Sequence, residues 1–163
     1  MTQTPPAGDS SLLATAGPLE VRIAASREEI EALQRLRYQI FYVEMSAKPS
    51  PEMAEAGRDF DRFDEFCDHL VVRDTDVLEN GEPKIVGTYR FLRREIAEKN
   101  GGFYTSSEYD IAPMLARSPH GRFLELGRSC VLESHRTGPA MQIMWRGLMI
   151  YVARHRVDRK SVV

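Results

Sequence analysis

The sequence predicts a mixed α/β (α+β) fold built as one domain. Three observations carry this prediction. Four segments show strand-like patterning, two repeat apolar residues at helical spacing, and no internal repeat or shift in composition divides the body of the chain. At 163 residues and 42% hydrophobic content, the chain is long enough to bury one core.

The opening residues, MTQTPPAGDSSLLATAGP, lack a basic start and a long apolar run, so 1–17 read as a disordered tail, not a secretory signal or membrane anchor. From Leu19, LEVRIAA alternates as a strand. Ser26 followed three residues later by Glu29 is a capping-box pattern that opens a helix. Along that helix Ile30, Leu33, Leu36, Arg37, Ile40 and Phe41 recur at helical spacing, with Arg37 at the edge of the stripe. KPSPEMAEAG, between Met45 and Arg58, carries two prolines and a glycine and reads as a mobile surface loop. DHLVVRD and KIVGTYRFLRR flank the turn sequence ENGEP and form an antiparallel hairpin.

GGFYTSSEYDIAPML is rich in glycine and aromatics and ends helically; RFLELGRSCVLE then supplies a fourth strand. SHRTGPA turns the chain, and Pro139 takes a first helical position ahead of a helix from about Ala140 to Val157. The closing DRKSVV matches what a sequencing-library adapter reads in one frame. Residues 158–163 are therefore expected to be a non-native tail, and residues 18–157 the N-terminal part of a longer domain.

A net charge of -2 gives no overall basic balance to draw the chain onto nucleic acid or an anionic membrane. Cys67 and Cys130 stand far apart without a CxxC or His spacing, which points to reduced thiols and a cytoplasmic location. No stretch reaches the roughly 20 apolar residues of a membrane span, which leaves peripheral membrane contact open.

The strand–turn–helix segment FLELGRSCVLESHRTGPAMQIMWRGL aims backbone N–H groups at one spot, an arrangement that binds phosphate. Aminolysis of a thioester needs a pantetheine arm held there, an N–H donor for the developing oxyanion and a base for the incoming ammonium. Glu125 is the candidate base. On a regular strand Glu125 and Arg128 fall on opposite faces, one inward and one solvated.

In DFDRFDEFCDHL, the acids Asp61, Asp64, Glu65 and Asp68 crowd beside His69. Their spacing fits neither an HExxH helix nor an EF-hand loop, and the interleaved Phe60, Phe63 and Phe66 fit an amphipathic turn, so no metal is expected. A diamino acid would offer Asp61 and Asp64 two ammonium groups to hold. Arg136, Arg146, Arg154 and Arg156 gather late, either as a solvated face or as a docking patch for an acidic carrier protein. Met141, Met144, Trp145, Leu148 and Met149 read as core, with an acyl groove as the alternative.

RLRYQIFYVEM, FDRFDEFCDHLVV, IVGTYRFLR and FLELGRSCV, in this order, resemble the ornithine N-acyltransferases of bacterial ornithine-lipid synthesis, within the GNAT superfamily. The resemblance covers most of Leu19 to Val157. Acyl-homoserine-lactone synthases share the skeleton Arg37, Phe41, Asp61, Asp64, Arg90, Glu125 and Arg128, while GGFYTSSEYD, ELGRSCV and WRGL look more like the ornithine branch.

The resemblance implies a GNAT-like, mostly antiparallel sheet that is incomplete at its C-terminal end. The strand that splays from the fourth to open the acyl slot would be missing, and the chain alone would be inactive. It also implies transfer of a 3-hydroxy fatty acyl group from acyl carrier protein to the α-amine of L-ornithine, giving lyso-ornithine lipid. The donor would be acyl-phosphopantetheine on acyl carrier protein, with no tightly bound cofactor. Glu125 and Arg128 would be catalytic, and His135, Arg136, Gly138 and Ala140 would hold the donor phosphate. Arg37, Phe41, Asp61, Asp64 and Arg90 would serve the substrate side or the loop that covers it.

One departure stands out: the general GNAT pyrophosphate signature begins with Gln or Arg, whereas His135 takes that place ahead of Gly138 and Ala140. This favours a carrier-protein donor over acetyl-CoA. The rival readings are an acyl-homoserine-lactone synthase, a CoA-dependent N-acetyltransferase and a non-catalytic GNAT-shaped module.

Overall fold

The computed structural model describes residues 11–136 and 138–162, with only the backbone of 159–162. Six strands stand side by side in chain order: β1 (Leu12–Ala16), β2 (Leu19–Ile23), β3 (Asp68–Glu79), β4 (Glu82–Arg93), β5 (Phe123–Val131) and β6 (Arg159–Val162). The first five pair antiparallel and β6 runs parallel to β5, so the expected mixed, mostly antiparallel sheet is present. The helices are α1 (Arg27–Tyr38), α2 (Pro51–Ala56), α3 (Arg94–Ala97), α4 (Ala112–Ala116) and α5 (Gly138–Arg154).

Local chemistry explains the boundaries. Ser26 Oγ accepts the Glu29 amide at 3.2 Å, while Glu29 Oε2 accepts the Ala25 amide at 2.7 Å, one residue earlier than the usual reciprocal bond. Past Tyr38 the helix widens into a π-helical turn, Gln39–Glu44. Asn80 and Gly81, at φ 55° and 85°, make the two-residue turn that joins β3 to β4.

The sheet is covered on both faces. On one, Ile143, Met144, Leu148 and Tyr151 of α5 pack against Val21, Leu70, Val72, Phe91, Leu124 and Leu126, forming the main core. On the other, Leu36 and Ile40 pack against Cys130 and Ile85. Each fully buried Leu or Ile contributes about 1.5–3 kcal/mol relative to exposure. Strand alternation therefore sends Phe91, Leu124 and Leu126 toward α5 and leaves Arg90, Leu92 and Glu125 on the α1 face. Gly147 brings α5 close to the sheet: a Cβ there would stand 2.6 Å from Val21 Cγ2 and 3.0 Å from Leu70 Cδ1.

Several expectations are corrected. Within the predicted tail, residues 12–16 form β1, which turns through Gly17 (φ 57°) into β2 and buries Leu13 and Ala14 under α5; residues 1–10 lie outside the described residues. The predicted loop before Arg58 contains α2, capped by Ser50 and closed by Gly57 at φ 59°. Arg37 is not at the edge of its stripe but fully buried, at 0% exposure.

α5 ends at Arg154, short of Val157, and only part of its apolar stripe is core. Met144 and Leu148 are buried, whereas Met141, Trp145 and Met149 lie one turn apart on an exposed line. Residues 159–162, within the segment expected to be a non-native tail, form β6 alongside β5. Strand addition uses backbone groups, so side-chain composition carries little signal for it. Among the described residues no helix is long and apolar enough to cross a membrane.

Candidate active site

The site is built on a buried layer of alternating charge. Arg37 reaches Asp64 through NH1 at 3.1 Å and NH2 at 2.6 Å, donates from NH2 to the Asp59 carbonyl at 2.6 Å, and sets Nε 2.8 Å from Asp59 Oδ2. Asp64 also accepts from Gln34 Nε2 at 2.9 Å and Arg90 NH1 at 2.9 Å. The same Arg90 nitrogen donates to Asp61 Oδ1 at 2.7 Å. Tyr42 donates its hydroxyl to Asp59 Oδ1 at 2.9 Å. Burial pushes the Tyr42 hydroxyl up to about 12, and the Asp59 bond adds to the shift.

Burial by itself would raise the Asp64 pKa, but the guanidiniums of Arg37 and Arg90 outweigh it and hold the carboxyl at about 2. His69 is buried behind this layer, its Nε2 3.1 Å from the Asp64 carbonyl, and burial lowers its pKa.

Above this layer, between β4 and β5 on the α1 face, lies a cleft of about 200 Å³. Arg90 and Leu92 enter it from β4, Glu125, Gly127 and Arg128 from β5, and Tyr104 and Glu108 from the short 3-10 turn and its end. Glu125 and Arg128 share the cleft because β5 is not regular. The pairs Arg90↔Gly127 and Thr88↔Cys130 leave two residues, Arg128 and Ser129, opposite Tyr89, and Arg128 takes φ 54°. This β-bulge turns Arg128 onto the face that strict alternation would deny it.

Glu125 is 6% exposed and holds the turn beside it. Its Oε2 accepts the Tyr104 amide at 3.0 Å, and its Oε1 accepts the Thr105 amide at 2.8 Å and the Thr105 hydroxyl at 2.5 Å. A carboxylate offers about four acceptor positions, so roughly one remains, on Oε2. Arg128 has the opposite imbalance. Its guanidinium lines the cleft, and its contacts to Asp59 and Asp61 are long, 3.6 and 3.5 Å. The cleft thus presents a loosely paired guanidinium beside a nearly filled carboxylate.

Arg37 and Asp64 belong to the buried layer, Asp61 and Arg90 link it to the cleft, and Phe41 packs with Leu36, Ile40 and Cys130 away from it. His135 and Arg136 have their side chains engaged: His135 Nε2 stands 3.0 Å from Asp74 Oδ2, and Arg136 bonds Glu44 Oε2 at 2.7 Å and the Val131 carbonyl at 2.9 Å. Gly138 heads α5 and Ala140 is buried, so anion binding at this turn would fall to the free amides of the first helical turn.

Asp59, Tyr104, Thr105 and Glu108 were not singled out from the sequence. The acid-aromatic rhythm of DFDRFD could have flagged Asp59, but no local pattern marks the other three. Cys67 and Cys130 are free, and burial pushes both thiols up to about 12.

A bulged β4–β5 cleft on a mixed sheet, followed by a turn and a long helix, matches a known class. The acetyltransferase (GNAT) domain model matches residues 36–146, and the chain belongs to this family. Two relatives, from Rhizobium meliloti and Brucella abortus, are 46% and 45% identical over 149 and 151 residues and are both named L-ornithine N(alpha)-acyltransferase. The alignments cover 91% and 93% of this chain but 50% and 54% of those proteins, so the chain spans about half the length of the curated relatives it matches. Among solved structures, the N-acyl amino acid synthase FeeM from uncultured soil microbes superposes with TM-score 0.60 at 15% identity, covering 88% of this chain and 70% of that one. The AHL synthase LasI superposes with TM-score 0.59 at 16% identity, covering 88% and 71%. At these identities the likeness is one of fold.

Proposed function

We propose that the full-length protein transfers a 3-hydroxy fatty acyl group from the phosphopantetheine of acyl carrier protein to the α-amine of L-ornithine. The observation that carries this reading is the pairing of a loosely held Arg128 guanidinium with the one open acceptor position on Glu125 in a single cleft. An α-amino acid brings the complementary pair, a carboxylate for Arg128 and an ammonium for Glu125. The names carried by the relatives from Rhizobium meliloti and Brucella abortus support the choice of acceptor.

In this reading the ammonium gives a proton to Glu125, and the freed amine attacks the thioester carbonyl. The tetrahedral oxyanion then collapses as the C–S bond breaks, and the pantetheine thiolate leaves and takes up a proton. Substrate amine and carbonyl are held within the cleft, so much of the acceleration comes from orientation. The carrier protein, the cytoplasmic location and the lipid product belong to the same proposal.

The test is to incubate the full-length protein with 3-hydroxyacyl carrier protein and either ornithine or S-adenosylmethionine, reading products by mass spectrometry. Acyl-ornithine is expected, with kcat lowered about 100-fold or more in Glu125→Gln. Formation of acyl-homoserine lactone would overturn the reading, and an unimpaired Glu125→Gln would remove the base assignment.

A further inference from the structure

We propose that Glu108 binds the acceptor's second ammonium group and so makes the cleft selective for an α-amino acid with a cationic side chain. This rests on the acyl-transfer reading above and adds to it the residue that discriminates between acceptors.

The acids around the cleft differ in what already holds them. Asp59, Asp61 and Asp64 each face at least one guanidinium, and Glu125 is occupied by two amides and a hydroxyl. Glu108 lines the same cleft, yet among the described residues it pairs with no cation; its side-chain partner is the Tyr104 hydroxyl at 3.2 Å. The sequence pointed to Asp61 and Asp64 together as holders of two ammonium groups; Asp64 is buried against Arg37 and Arg90, which leaves Asp61. That carboxylate already sits 2.7 Å from Arg90 and 3.5 Å from Arg128, so a substrate cation would have to compete with both.

An exposed glutamate is ordinarily just solvated surface. What distinguishes Glu108 is Tyr104, which touches both carboxylates of the cleft: its amide donates to Glu125 and its hydroxyl to Glu108. The Tyr104 ring is fixed edge-on to Phe63, centroids 5.6 Å apart, with the Arg128 guanidinium 5.9 Å from its centroid. The two acids are therefore spaced by the reach of one tyrosine. The α and δ amines of an extended 2,5-diamino acid stand about 6 Å apart, given bond lengths near 1.5 Å. Leu92 supplies an apolar wall for the methylenes between them.

The experiment measures kcat/KM of the full-length protein for L-ornithine and for L-norvaline, which has the same carbon chain without the δ amine. In Glu108→Gln the ornithine-to-norvaline ratio is expected to fall about tenfold or more, mainly through the ornithine KM. Glu108→Lys, an independent variant with reversed charge, should lower it further, and Tyr104→Phe should give an intermediate ratio because the aiming hydroxyl is gone. An unchanged ratio in both Glu108 variants, with ornithine still acylated, overturns the role of Glu108 alone. Failure of the unaltered protein to acylate ornithine overturns the reaction itself, and this assignment with it.

Discussion

A guanidinium sealed from water needs its charge and its N–H groups answered by protein, or the cost reaches several kcal/mol. Arg37, at 0% exposure, meets that demand with two aspartates and a backbone carbonyl. Its spacing in the sequence is that of a core residue, which is why periodicity located it but misjudged its depth. Glu125 and Arg128 were legible through a motif, whereas their meeting in one cleft was not, because it depends on a bulge that alternation does not encode. Tyr104 and Glu108 come from a turn whose position is set by Glu125 across the sheet, a contact spanning about twenty residues. The thiols illustrate a simpler case at this scale. With both pushed up to about 12 by burial, neither Cys67 nor Cys130 should be alkylated by iodoacetamide at pH 8 until denaturant is added. Rapid modification of the native protein, read by mass, would contradict the packing around them.

Among the elements, strands and helices with strong periodicity were legible: β2, the β3–β4 hairpin, β5, α1 and α5 all form where the pattern places them, with α5 stopping early at Arg154. β1 and α2 escaped for different reasons. β1 is five residues of mild apolarity that gain their place only by pairing with β2 under α5, and α2 has good caps but no buried face. The WRGL segment is explained by packing. Alanine is usually better than glycine inside a helix by about 1 kcal/mol, so at an unobstructed site Gly147→Ala would stabilise. Here the new methyl would meet Val21 at 2.6 Å, and the substitution should instead cost about 1–3 kcal/mol. Thermal melts decide the sign: a raised Tm would mean that α5 sits further from the sheet.

At the scale of the whole molecule, one face of the sheet carries the main core and the other carries charge, so acid should act chiefly through the second. The Asp64 carboxyl is held at about 2, below the 3.8 of the unperturbed group. A depressed acid stabilises the fold fully above its unfolded pKa and loses that contribution as pH falls through its folded one. Between about pH 4 and pH 2 the protein should therefore lose about 2 kcal/mol through this group alone. Urea midpoints across that range report it, and a flat profile would deny that the buried layer stays ionised. The layer also links α1, the segment before β3, and β4, with Arg128 adding β5 through looser contacts.

The contact at Gly147 reaches beyond stability. A single methyl-sized space is shared between α5 and β2, two parts of the chain that are remote in sequence. Descent does not alter them independently: a larger residue at position 147 is better tolerated once Val21, and with it Leu70, has given way. Either change alone carries a cost, a cavity at the fully buried Val21 or a collision at Gly147, and the two together relieve each other.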